Sequence, residues 1–257
     1  MVDSAWRGFF DEIARWHDAG RDVDFWWRDD DACRPTPALT RLLALSGGSG
    51  VPLALAAVPA FAESAAFDDM PTSVAVLQHG VDHRDRACAT EKKTEFHASE
   101  FVDTALQRLV AGRTQLEAVA GPRVLPVLVP PWNRLSAALM PRLAAAGYLG
   151  ISTFGVRKVT NQAHGLRQVN THVDIIDWRG GRGFAGTGSA LGQATRHLAA
   201  RRAGEADASE PTGWLTHHAV HDDASWSFLD RLFEATQGIS GVYWRSPEDV
   251  FIQPPGR

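Results

Sequence analysis

Between residues 23 and 244, short apolar runs rich in β-branched residues alternate with amphipathic stretches of helical period. This alternation confines the chain to βα units around a parallel sheet. The expected strands are Val23 to Trp27, Pro52 to Val58, Ser73 to Gln78, Val124 to Val129, Gly150 to Thr153, a stretch within Leu166 to Ile176, Gly213 to Thr216 and Gly241 to Trp244. Expected helices include Pro37 to Leu45, with Thr36 as cap and Pro37 in the first turn, and Glu95 to Val119, with Phe101, Leu106, Leu109, Val110 and Leu116 on one face. Ser136 to Ala146 and Ala224 to Gln237, the latter closed by Gly238, read as two more. Trp6, Phe9, Phe10, Ile13 and Trp16 fall at helical spacing, which predicts an amphipathic helix over residues 4–19. A chain of 257 residues suits one α/β domain of this kind. The expectation is a single domain over residues 1–257, a distorted or incomplete parallel (β/α) barrel of seven to eight strands. The glycine-rich stretches Val156 to Gly165 and Gly180 to Gly188 read as loops near a site.

Charge and patterning exclude several functions. The formal net charge is -4, and no basic block exceeds pairs such as Arg201-Arg202, so a nucleic-acid partner is not expected. The longest apolar run, Val51 to Phe61, is too short to span a bilayer and carries two prolines. Residues 1–28 are acidic from the third position and do not read as a signal peptide. Two cysteines in unrelated contexts, Cys33 and Cys88, fit a reduced cytoplasmic compartment better than a disulfide framework.

Three segments carry the chemistry, each directly after an expected strand. Arg28-Asp29-Asp30-Asp31 places three consecutive carboxylates together, and such anions repel unless a cation neutralises them or water solvates them. Gln78-His79-Gly80-Val81-Asp82-His83 carries two imidazoles four residues apart, which on one helical turn could reach a single ion. Two histidines with one carboxylate leave positions open for water and substrate, as catalytic metal sites do. Trp214-Leu215-Thr216-His217-His218 ends a third strand with a histidine suited to general acid or base work. Because His217 and His221 repeat the four-residue spacing and Asp222 and Asp223 follow, this segment is a second candidate for the metal site.

In this order the motifs resemble those of the polysaccharide deacetylases, the NodB-like family or carbohydrate esterase family four, over about Phe25 to Asp222. The resemblance implies that Asp30 is the catalytic base and Asp31 a metal ligand, with Asp29-Asp30 as the one-residue alternative. It makes His79 and His83 the other two ligands, although Gly80 stands where the family usually has a hydroxyl residue. The third family motif, Arg-x-Pro-aromatic-Gly, is similar to Val129-Pro130-Pro131-Trp132-Asn133, without the arginine and the glycine. The family's arginine orients the base, so Arg134 or Arg28 would have to substitute, or the base is oriented differently. The fourth motif resembles Asp174-Ile175-Ile176-Asp177-Trp178, implying that Asp174 tunes the acid histidine and Trp178 walls the pocket. The fifth resembles Leu215-Thr216-His217, making His217 the general acid.

The implied cofactor is one divalent ion, zinc first and cobalt, nickel or manganese as alternatives. The implied substrate is a carbohydrate carrying an N-acetyl or related acyl group, such as a precursor of a bacterial surface polysaccharide like O-antigen. A backbone N–H near Trp132 would join the ion in stabilising the oxyanion. Two other functions remain open on the sequence: hydrolysis of a small cyclic amide or ureide on the same barrel, and non-catalytic sugar binding. Trp26, Trp27, Trp132, Trp178 and Trp214 flank the motifs as core or sugar platforms. Cys33 is expected to be a small buried residue, and His97, His164, His172 and His197 to be structural or superficial.

Overall fold

A computed structural model describes residues 4–157 and 165–252; His164 and most of the expected loop 156–165 lie outside them. Among the described residues, nine strands form one parallel sheet. They are β1 (Val23–Ala32), β2 (Leu53–Ala57), β3 (Val74–His79), β4 (Val124–Val129), β5 (Gly150–Ile151), β6 (Arg167–Gln168), β7 (Val173–Asp174), β8 (Thr212–Thr216) and β9 (Val242–Trp244). Their order is β6-β5-β4-β3-β2-β1-β8-β7, with β9 paired to the start of β1. Every pairing between these strands is parallel, so the curled sheet is the expected distorted barrel, eight strands along its path and β9 added to the start of β1.

One extended segment closes it. Residues 167 and 168 pair with β5, Thr171 bridges to Phe154, and from His172 onward the chain pairs with β8. A single strand within Leu166 to Ile176 is expected here because one short run serves both edges. Gly213 permits the close passage: a Cβ there would collide with the Trp26 indole and the Asn170 carbonyl.

Alternation along β1 sorts the interior from the outer layer. Val23, Phe25 and Trp27 pack under the helices. Trp26 packs on the other face with Ala54, Ala56, Ala75, Leu77, Val127 and Val129, above Val250 and Phe251. The tryptophans at 26, 27 and 214 are therefore core, each at most 1% exposed.

Helices α1 (Ser4–Asp18), α2 (Pro37–Ser49), α3 (Val102–Ala120), α4 (Met140–Leu143), α5 (Thr187–Ala203), α6 (Asp223–Gln237) and α7 (Pro247–Phe251) surround the strands. In α1 the buried stripe is Trp6, Phe9, Ile13 and Trp16, and the Trp16 indole donates to the Leu198 carbonyl of α5 at 3.1 Å. Thr36 caps α2 as expected, accepting from the Leu39 N–H at 3.1 Å. The helix expected from Glu95 begins only at Val102; its buried face is Ala105, Leu109, Gly112, Leu116 and Ala120, while Phe101 is exposed. The expected helix over 136–146 shrinks to α4, and α5 follows directly on the glycine-rich loop. No helix among the described residues is long and apolar enough to cross a membrane.

Candidate metal and catalytic centre

The acidic cluster is part of β1 and does not follow it, so its carboxylates leave the strand on different faces. Arg28 and Asp30 continue the inward parity of Trp26. Asp29 points outward, where it accepts from Thr216 Oγ1 at 2.6 Å and the His218 N–H at 2.9 Å and pairs with His218 Nδ1. Burial alone would raise the Asp29 pKa, but the His218 charge and these hydrogen bonds hold it below the ordinary carboxylate range. His218 is correspondingly raised, burial notwithstanding, by the same carboxylate. Asp29 is thus committed to His218, which argues against the one-residue alternative.

Asp31 breaks the parity. Its φ of 73° and the register shift between Asp29 and Ala32 turn its carboxylate away from the Asp29 side. Asp31 Oδ1 comes within 3.2 Å of His79 Nε2 and 3.4 Å of His83 Nε2. The three donor atoms lie within 4.8 Å of one another. Ligands about 2.05 Å from a tetrahedral ion stand about 3.3 Å apart, so these spacings fit one ion's shell. The tautomer fits as well. His79 Nδ1–H donates to the Val129 carbonyl at 2.9 Å, which leaves the Nε2 lone pair facing the Asp31 oxygen. Two lone pairs so placed repel unless a cation or a proton lies between them. Burial would lower the His79 pKa, yet Asp30 and Asp31 raise it; burial and the His79 charge lower that of His83. Asp31 itself is held low, its histidine partners outweighing burial.

The two imidazoles do not share a helical turn. His79 ends β3, and the chain then turns through Gly80 at φ 60° to His83 at φ 52°. A Cβ at Gly80 would land on the Glu95 carboxylate and the Pro131 ring, so only glycine fits at this position.

Beyond β4, Trp132 (φ 54°) and Asn133 (φ 56°) are both left-handed, and the Trp132 ring lies 4.5 Å from that of His83. Asn133 takes the place of the expected glycine, and asparagine tolerates this conformation better than most residues. Its Oδ1 accepts from Arg28 Nη2 at 3.0 Å. Arg28 also donates to Ser152 Oγ at 2.6 Å and, through Nη2, to Asp30 Oδ2 at 3.0 Å, with Nε in ion-pair contact with Oδ1 at 2.8 Å. Arg134 instead donates to the Lys93 carbonyl at 2.8 Å and is exposed. Of the two candidate substitutes for the missing arginine, Arg28 is the one in contact with Asp30.

His217 directly follows β8, and Asp174 ends β7. The Trp178 ring meets His217 edge to face at 4.7 Å, and its indole donates to Asp174 Oδ2 at 2.8 Å. Asp174 also accepts from the Ile176 N–H at 2.9 Å, and burial raises its pKa despite the nearby His217. His217 Nδ1 is buried without a hydrogen-bond partner, so Asp174 acts on it through space.

The alternative metal site does not assemble. Asp222 caps α6 by accepting from the Ser225 N–H at 2.8 Å, and both His221 nitrogens are buried without partners. Two other groups of donors occur among the described residues. Cys88, Glu91 and His97 lie on an open loop. His172, His197 and Glu210 are buried, but His172 Nδ1 accepts from the Gly213 N–H at 3.0 Å, so the neutral ring carries its proton on Nε2. The His172 and His197 rings also stack in parallel at 3.5 Å, which directs their in-plane lone pairs alongside one another without convergence.

Sequence reasoning missed Glu95, Ser152 and Asn133 as supports of the site and left His218 unassigned. Only Asn133, standing where the motif has glycine, carried a readable signal.

No protein-family model matches the sequence, and no curated protein matches it. Solved structures do share the fold. A Mycobacterium smegmatis protein described as a polysaccharide deacetylase superposes with a TM-score of 0.65 at 15% identity, over 90% of this chain and 89% of the other. A family 4 carbohydrate esterase from Streptomyces lividans, in complex with acetate, gives 0.58 at 15% identity, over 91% and 98%. A Streptococcus mutans CE4 esterase gives 0.55 at 12%, over 89% and 88%.

Proposed function

We propose that the chain is a metal-dependent carbohydrate deacetylase, hydrolysing the amide of an N-acetylated (or similarly acylated) sugar. The observation that carries this reading is the approach of Asp31 Oδ1 to His79 and His83 at 3.2 and 3.4 Å, beside an Asp30 carboxylate gripped by Arg28. A divalent ion held by Asp31, His79 and His83, zinc being the best match to two imidazoles and one carboxylate, would supply Lewis-acid polarisation of water and of the acyl carbonyl. Asp30 takes the proton from the attacking water, held to one orientation by the two-point grip of Arg28. His217 gives a proton to the departing amine, with the Asp174 carboxylate held beside it by the Trp178 indole. Trp178 and Trp132 wall the opening and offer apolar faces to a sugar ring, and a backbone N–H near Trp132 would help to hold the oxyanion.

The free thiols of Cys33 and Cys88 support a reducing compartment. A cytoplasmic deacetylase would meet soluble or lipid-linked precursors of a surface glycan, such as O-antigen, before assembled polymer. The test is elemental analysis of the purified protein together with acetate release from a panel of acetylated amino sugars, free, nucleotide-linked and polymeric. Release from the nucleotide-linked sugars with stoichiometric metal is expected. A metal-free protein that binds sugars without releasing acetate would overturn the reading, as would turnover of cyclic amides alone.

A further inference from the structure

The loop that carries the second imidazole has no regular structure of its own, yet three of its successive N–H groups point the same way. With Gly80 and His83 both at positive φ, the N–H groups of Val81, Asp82 and His83 converge on one concavity, the arrangement in which backbone amides bind an anion. The anion is supplied by the chain. Glu95 Oε1 accepts from Val81 at 3.0 Å and Asp82 at 3.2 Å, and Oε2 accepts from His83 at 3.2 Å. Glu95 is fully buried, and the absent Cβ of Gly80 leaves the room its carboxylate occupies. Arg108 and Arg86 approach Oε1 at 3.6 and 3.9 Å, and Arg86 also grips Asp82 at 2.7 Å through each of two nitrogens.

From this geometry we infer that Glu95 is a positioning residue for the metal centre, fixing the His83 imidazole through the backbone amides of residues 81–83. The inference rests on the reading of Asp31, His79 and His83 as the ligands. Glu95 touches neither the ion nor the substrate. It acts by holding His83 at φ 52°, a conformation that costs a non-glycine residue energy and that the loop would leave if the amides lost their acceptor. Glutamine is a sharp probe, because it keeps the size of the side chain while placing an NH2 donor against the amide donors. Aspartate keeps the charge but falls short of the amides, and alanine removes the acceptor.

The experiment titrates the full-length apo protein with zinc, in competition with a chromophoric chelator, and with cobalt, whose absorption reports the ligand geometry. Glu95→Gln, Glu95→Asp and Glu95→Ala are compared with wild type and with Glu117→Gln, a change at an exposed ion pair on α3. Circular dichroism establishes which apo variants are folded. Folded Glu95 variants should bind about 10-fold to 100-fold more weakly, the usual effect of losing a group that orients a ligand, with an altered cobalt spectrum, while Glu117→Gln matches wild type. Folded variants that bind within about twofold of wild type, with its cobalt spectrum, would overturn the inference. Wild type that binds neither metal would instead sink the ligand assignment beneath it. Should all three variants fail to fold, amide hydrogen exchange in the wild type decides: protection at 81–83 already present without metal supports a preset loop, and free exchange there refutes it.

Discussion

Arg28 and Asp30 sit two residues apart on the inner face of one strand, and the guanidinium meets the carboxylate at both oxygens, 2.8 Å at Oδ1 and 3.0 Å at Oδ2. The strand period itself makes the pair, since residues i and i+2 share a face. Asn133 and Ser152 hold the rest of the guanidinium. Arg28→Lys keeps the charge and loses the planar fork, so kcat should fall about 10-fold to 100-fold with KM little changed. Asp30→Asn should cost about 100-fold to 10,000-fold in turnover, the range for a lost general base, with the metal content unchanged. Steady-state kinetics with metal analysis checks both, and wild-type turnover in Asp30→Asn would remove Asp30 as the base.

Asp29 and Asp30 are neighbours with opposite fates, so substitution at Asp29 should read out as stability. Asp29→Asn leaves a buried His218 without its counter-charge and should cost about 3 kcal/mol in urea unfolding. The folded variant should retain its turnover within a few-fold. Inactivation without destabilisation would mean that the base is Asp29 and that the motif is shifted by one residue.

Legibility in the sequence followed local physics. β4 was readable to the residue because Val124–Val129 carries no polar side chain, Pro126 notwithstanding, and Pro130 ends it. The end of β1 was not, since Arg28, Asp29 and Asp30 lack strand propensity and owe their extended backbone to partners distant in sequence. Asp31, His79 and His83 were marked out by residue type, spacing and the resemblance, but nothing local announces the positive φ of Asp31, His83 or Trp132. Glu95 was read as the start of a helix because its neighbours have helical period; the amides of residues 81–83 claim it for the loop instead. Arg28 could be found as Asp30's partner only by asking which arginine shares that residue's face of the strand.

Metal removal should be visible in stability as well as activity. A ligand that binds only the folded chain stabilises it by about 2.7 kcal/mol at 100 times its Kd. Chelation should therefore lower Tm and abolish acetate release, and zinc should restore both. Asp31→Ala and His79→Ala should start at or below the chelated Tm and show no zinc response. A zinc-dependent Tm rise in either variant equal to that of the wild type would place the ion elsewhere.

The buried His172, His197 and Glu210 group supplies a pH dependence with a defined sign. Burial, and then the neighbouring charges, lower His172 to about 3 and His197 to about 2, both from an ordinary 6.5. In the unfolded chain both rings gain protons below pH 6.5 that the folded chain refuses, so their contribution is full above 6.5 and is lost as pH falls. Burial raises Glu210 to about 7, so it contributes oppositely: its stabilisation is present below 4.5 and is lost as pH rises through 7. Between pH 4.5 and 6.5 unfolding thus takes up two protons at the rings and releases one at the acid, and this group destabilises the fold as pH drops. Each proton corresponds to a slope of about 1.4 kcal/mol per pH unit. His197→Gln removes one ring, so its unfolding free energy, measured by denaturant titration across this window, should fall with decreasing pH less steeply than wild type by about that amount. An unchanged slope would mean that His197 is protonated in the folded chain and that the stacked pair carries a charge.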